Sequence, residues 1–87
     1  MFDTPILFII FNRPDTTQEV FNAIRAIKPK KLYVTADGAR KGNQNDVINC
    51  PKTREIINID WDCDLKTLYR DENLGCRNAV SDAITWF

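Results

Sequence analysis

Three polar clusters, each directly after an apolar run, hold the side chains best suited to recognising a ligand: Asn12-Arg13-Pro14-Asp15, Ala36-Asp37-Gly38 and Arg70-Asp71-Glu72-Asn73-Leu74-Gly75. In the first, an amide and a guanidinium meet a proline-constrained turn just before a helix start. Exposed backbone donors and the positive end of a helix dipole there suit a base edge or an anionic group. In the second, Asp37 can accept from a ribose hydroxyl or the N–H of a uracil-like base, and Gly38 lets a ligand approach the backbone. In the third, Arg70 can meet phosphate through both arms of its fork, while Asn73 and the Gly75 backbone can shape a pocket wall. Each cluster also has a plainer reading: Asp15 assists a helix cap with Arg13 on the surface, Asp-Gly is a common turn dipeptide, and Asn73 is an N-cap. All three endings are decorated at once, which favours a shared site.

Other chemistries find less support. The chain has no histidine, so Ser-His and Cys-His pairs are excluded, and it contains neither G-x-G-x-x-G nor G-x-x-x-x-G-K. The alternating carboxylates of Asp60-Trp61-Asp62-Cys63-Asp64 precede a strand and fall at the opposite end of the sheet from the clusters, which disfavours a metal role. Cys50, Cys63 and Cys76 are odd in number and widely spaced, and read as reduced, mostly buried thiols. Lys plus Arg equals Asp plus Glu at 12 each, without a basic run, which argues against nucleic acid as a partner. Trp61, Trp86, Phe21 and Phe87 read as packing residues rather than stacking platforms, as do Tyr33 and Tyr69.

The elements that must position the clusters follow from periodicity. Ile6 to Phe11 is continuously apolar, the pattern of a central strand covered on both faces. Thr16-Thr17-Gln18-Glu19 predicts a capping box with Thr16 as N-cap, followed by a helical stripe of Val20, Phe21, Ala23, Ile24 and Ile27 that ends at Lys28-Pro29. Lys31 to Ala36 predicts a second strand. Arg40 to Asn49 reads as a polar, mobile loop. Pro51 then opens a helix through Arg54, Glu55, Ile56, Ile57 and Ile59, with an earlier start at Val47 or Ile48 left open. Asp64 to Tyr69 predicts the third strand, and Gly75 a last helix with Cys76, Ala79, Val80, Ala83, Ile84 and Phe87 at helical spacing.

The result is an α/β chain of order β-α-β-α-β-α. It predicts a three-layer, half Rossmann-like arrangement on a parallel three-stranded sheet of order 3-2-1, with ligands bound outside the carboxyl ends of the strands. The 87 residues are expected to form one domain, 1–87, with a modest core. No apolar run is long enough to span a membrane, and Met1-Phe2-Asp3-Thr4 lacks the positive region of a signal peptide, so a cytoplasmic location is expected. A fully covered first strand needs a neighbour on each side, and this chain supplies one. Its bare edge invites self-association or pairing with another chain, or marks a truncated protein. A phosphorylatable receiver is disfavoured, because no acidic pair follows the first strand.

Pro5 to Pro14, Val34-Thr35-Ala36-Asp37-Gly38 and Arg70 to Cys76 together resemble the start of the GT-A, family-2-like glycosyltransferases, the nucleotide-diphospho-sugar transferases. The likeness spans essentially the whole chain and rests on three moderately specific motifs in the right order. It implies that Phe11, Asn12 and Arg13 border the nucleobase, that Asp37 contacts base or ribose, and that Asn73 and Gly75 line a nucleotide-sugar pocket. In that family the metal-binding Asp-x-Asp, the catalytic base and the acceptor site come later in the chain. The resemblance therefore implies the donor-binding half of a glycosyltransferase, inactive alone. No cofactor is expected within these residues, and a divalent metal, Mn or Mg, only in a full-length member.

Overall fold

The computed structural model describes residues 4–87, and of Cys76 the backbone alone. The signal-peptide reading at Met1-Phe2-Asp3 and the reading of the Cys76 thiol thus lie outside the described residues. The elements alternate as β1 (Ile6–Ile10), α1 (Pro14–Ile27), β2 (Lys31–Ala36), α2 (Gln44–Glu55), β3 (Asp64–Tyr69) and α3 (Cys76–Trp86). The sheet is parallel throughout in the order β1-β2-β3, with Ile6 opposite Leu32 and Leu32 opposite Leu65. No helix among the described residues is long and apolar enough to cross a membrane.

Alternation along the strands assigns the two faces. Phe8 and Ile10 of β1 and Leu32, Val34 and Ala36 of β2 point to one side, where Phe21 and Ile24 of α1 complete the buried core. Ile56, Ile57 and Ile59, just past α2, and Trp61 pack around its margin. The Trp61 indole N–H also donates to the Pro29 carbonyl at 2.8 Å, tying the entrance of β3 to the end of α1. The opposite side receives α3. Trp86 and Phe87 meet the Tyr33 ring edge-on, with centroids 5.3 and 5.0 Å away. Of the six aromatics read as packing residues, Trp61, Trp86, Phe21, Phe87 and Tyr33 contact other rings, and Tyr69 lies against the Arg54 guanidinium.

Three expectations are corrected. Helix α1 starts at Pro14, not after Thr16: Arg13 is the N-cap without a side-chain cap bond, and the Thr17 N–H donates to the Arg13 carbonyl. Proline's missing N–H is no loss at a first helical position, so Pro14 can open the helix two residues before the capping-box pattern. Its buried stripe is Thr17, Phe21 and Ile24, leaving Val20 and Ile27 exposed.

The segment predicted as a mobile loop is mostly helix. Asn43 caps α2 by accepting from the Asp46 N–H at 3.0 Å, and Pro51 lies inside the helix. The buried positions of α2 are Asp46, Cys50 and Thr53, so its inward stripe has helical spacing but little hydrophobicity. Cys50 fits the expectation of a buried thiol, and burial raises its pKa; Cys63 is half-buried, and both are free.

Finally, β1, at the edge of the sheet as the order 3-2-1 requires, is not covered on both faces. Leu7 is half-buried and Ile9 is 42% exposed on the α3 side, because α3 covers Tyr33 of β2 and leaves the β1 side open.

Candidate functional site

A cleft of about 270 Å³ opens at the carboxyl end of the sheet between β1, β2 and α3. Ile9, Ile10 and Phe11 supply one wall, and Ala79 and Val80 of α3 the other. Thr35 of β2, Asp37 just past its end, Arg40, Asn73 and Gly75 supply its polar lining. Four of the six residues singled out from sequence, Phe11, Asp37, Asn73 and Gly75, therefore line one cavity. Asn12 and Arg13 do not line it. The Asn12 amide is turned to Asp46, to which it donates at 2.8 Å, and Arg13 is exposed at the start of α1.

The second and third strand exits are locked together. Asp37 is buried, and its Oδ1 accepts from the N–H groups of Gly38 at 2.9 Å and Leu74 at 2.8 Å, while Oδ2 accepts from Gly75 at 3.2 Å. Gly75 has φ 85°, a left-handed-side conformation natural to glycine, and gives α3 no side-chain cap. Asp37, just past the end of β2, places its carboxylate ahead of α3, beside the positive end of that helix. Asn73 completes the junction by donating to the Gly38 carbonyl at 2.9 Å and accepting from the Gly75 N–H at 3.0 Å. From the other face, Arg54 of α2 donates to the carbonyls of Asp37 and Arg70, at 3.1 and 2.7 Å, with its guanidinium 5.0 Å from the Tyr69 ring centroid.

This junction revises two readings. Gly38 is needed because the chain's own backbone, not a ligand, comes close: a Cβ there would lie 2.6 Å from the Glu72 carbonyl carbon and 2.7 Å from that of Asp71. Arg70, read as a phosphate contact, is instead paired with Asp82 of α3.

A second network joins the first strand exit to the start of α2. Asp46 has no exposed surface, and both of its oxygens are engaged. Arg40 donates from Nε to Oδ2 at 2.6 Å, from Nη2 to Oδ1 at 3.0 Å and from its backbone N–H to Oδ2 at 3.0 Å. The Asn12 amide completes the set. These bonds, led by the Arg40 side chain, hold the Asp46 carboxyl well below the usual carboxylate range, against the opposing effect of burial. The same pairing raises the Arg40 guanidinium. Arg40 also stands over the Phe11 ring at 5.7 Å, so it connects β1, α2 and the cleft. Neither Arg40 nor Asp46 was among the residues singled out from sequence. The available signal was the Asn43-x-x-Asp46 spacing of a helix cap.

The cleft's donor set does not suit a divalent metal. Its lining includes one carboxylate, Asp37, both oxygens of which already accept from backbone N–H groups. Among the described residues no group of three or more His, Cys, Asp or Glu side chains could hold a metal ion. Comparison with protein-family models, curated proteins and solved structures gives no match to this chain.

The two networks give separable predictions. Gly38→Ala should destabilise the fold by about 1–3 kcal/mol through overpacking, as measured by urea denaturation, because the atoms it would strike are backbone. An unchanged urea midpoint would disprove the close approach. For Asp46, the lowered pKa means that its contribution is fully present above about pH 3.9, the ordinary aspartate value, and is lost as the pH falls below it. Urea midpoints measured between pH 6 and pH 2.5 should consequently fall more steeply for the native chain than for Asp46→Asn.

Proposed function

We propose that the chain binds a nucleotide-diphospho-sugar in this cleft and acts as the donor-binding part of a GT-A-like glycosyltransferase. The observation that carries the reading is the state of Asp37. A carboxylate offers about four acceptor positions, and backbone N–H groups occupy three, two on Oδ1 and one on Oδ2. The carboxylate is thus fixed in place by its neighbours and keeps an acceptor position on Oδ2 for a donor such as a ribose hydroxyl or a uracil-like N–H. Phe11, at the same cleft, offers an aromatic surface to a base, and Ile9, Ala79 and Val80 an apolar wall. The position also suits the reading, since open α/β sheets take ligands outside the carboxyl ends of their strands. None of these groups activates an acceptor hydroxyl, and the role is confined to holding the donor.

The bare edge of β1 favours a second reading, a non-catalytic module that self-associates through its sheet. The segment Pro5 to Phe11 carries no charge, and Ile9 is 42% exposed, whereas β3 at the other edge presents Asp64 and Lys66. Charged side chains are a common protection against edge pairing, and β1 has none. Sedimentation as a monomer at millimolar concentration would eliminate this alternative.

For the donor-binding reading, millimolar UDP should raise the melting temperature of the native chain and perturb the NMR signals of Thr35, Ala79 and Val80. Val80→Trp, which fills the cleft from α3 without touching either polar network, should keep the circular dichroism spectrum and lose the UDP response. Asp37→Ala is a poorer test, because it orphans the Leu74 N–H and takes one of two acceptors from the Gly75 N–H along with any ligand contact. No thermal or NMR response to any nucleotide in the native chain would refute the reading.

A further inference from the structure

The cleft carries one cationic side chain, Arg40, and the way it is held separates its two edges. One edge of the guanidinium, Nε with Nη2, forms a two-point fork on the buried Asp46 carboxylate. No described residue accepts from Nη1, and the side chain is 53% exposed. Seating against Asp46 on one side and the Phe11 ring beneath restricts a long side chain to one direction, so a ligand gains its charge without first ordering it. The other charged group of the cleft, Asp37, is an anion and already serves the start of α3. Like charges repel, and a negatively charged ligand segment is directed away from Asp37 and toward Arg40.

We infer that Arg40, oriented by Asp46, is the anion-binding group of the cleft, and that the ligand it selects is a nucleoside diphosphate rather than a nucleoside. The inference rests on the donor-binding reading above and orients the ligand within it: base and ribose lie toward Asp37 and Phe11, and the diphosphate toward the free edge of Arg40. Asp46 is a positioning residue, since it acts on the ligand only through Arg40. Its substitution should lower affinity for phosphate-bearing ligands alone, a selectivity that general loosening of the fold would not produce.

Titration calorimetry with UDP, uridine and inorganic pyrophosphate tests this on the native chain and three variants. The native chain should bind UDP about ten- to a hundred-fold more tightly than uridine, the span expected for hydrogen bonds to a charged group. Asp46→Asn should reduce that preference while leaving uridine affinity unchanged, and Arg40→Lys should retain part of it. Because Arg40→Gln strands a buried carboxylate and risks unfolding, the decisive variant is Arg40→Gln combined with Asp46→Asn, which removes both charges. It should bind UDP no better than uridine and should lose pyrophosphate binding. Equal affinity for UDP and uridine in the native chain would overturn the role of Arg40 while leaving the donor-binding reading intact. Arg40-dependent binding of pyrophosphate without binding of UDP or uridine would uphold Arg40 and overturn that reading. Failure of all three probes to bind would overturn both.

Discussion

The carboxylate of Asp37 bridges the end of β2 to the start of α3, and the candidate site depends on that bridge. It accepts from the Leu74 N–H and shares the Gly75 N–H with the Asn73 side chain, just ahead of a helix whose glycine N-cap offers no side chain. The bridge requires the two strand exits to lie almost in contact, and Gly38 makes this possible by presenting no side chain to the backbone of Asp71 and Glu72. Arg54 then fastens the same exits from the opposite face through the carbonyls of Asp37 and Arg70. Backbone groups that would be costly to bury unpaired are thus paired across the junction, and α3 is held where it forms the far wall of the cleft.

The first exit is organised by a separate carboxylate with a different logic. Asp46 is buried and ionised, a combination that is stable only with close compensation, and it receives the Arg40 fork, the Arg40 backbone N–H and the Asn12 amide together. The network gives a polar helix an inward anchor that hydrophobic burial alone would not provide. Its charged pair also leaves the cleft with two unlike functions: an acceptor braced by backbone donors at Asp37, and a cation braced by a carboxylate at Arg40. A ligand with hydrogen-bond donors at one end and negative charge at the other matches both.

The residues that failed to reach the cleft are informative for the same reason. Asn12 and Arg70 carry groups able to bind a ligand, but each is engaged by a protein carboxylate, Asp46 and Asp82 respectively. Residue type alone does not distinguish a side chain that recognises a ligand from one that fastens two segments, because the donors and acceptors are the same. The partner's identity decides, and the partners here are distant in the chain.

Strand and helix order was legible from local pattern: β2 is a short apolar-rich run, β3 carries Leu65, Leu68 and Tyr69, both end at polar clusters, and the stretch from Ala79 to Phe87 shows its helical spacing directly. The polar strand endings could likewise be picked out, since Asp37-Gly38 and Asn73-Leu74-Gly75 interrupt apolar periodicity. Helix α2 escaped that kind of reading because its buried positions are Asp46, Cys50 and Thr53, and hydrophobic periodicity cannot register a stripe that is stabilised by hydrogen bonds. The start of α1 at Pro14 was hidden by a capping pattern two residues downstream. What the amino-acid sequence determined by itself was the alternation of elements and the polar character of their ends, because both depend on residues close together in the chain. Which of those polar groups face a cleft and which are spent on backbone N–H groups were decided only by the tertiary structure, because Asp37 meets Leu74 and Gly75, and Asn12 meets Asp46, through contacts between segments more than thirty residues apart that packing the helices on the sheet brings together.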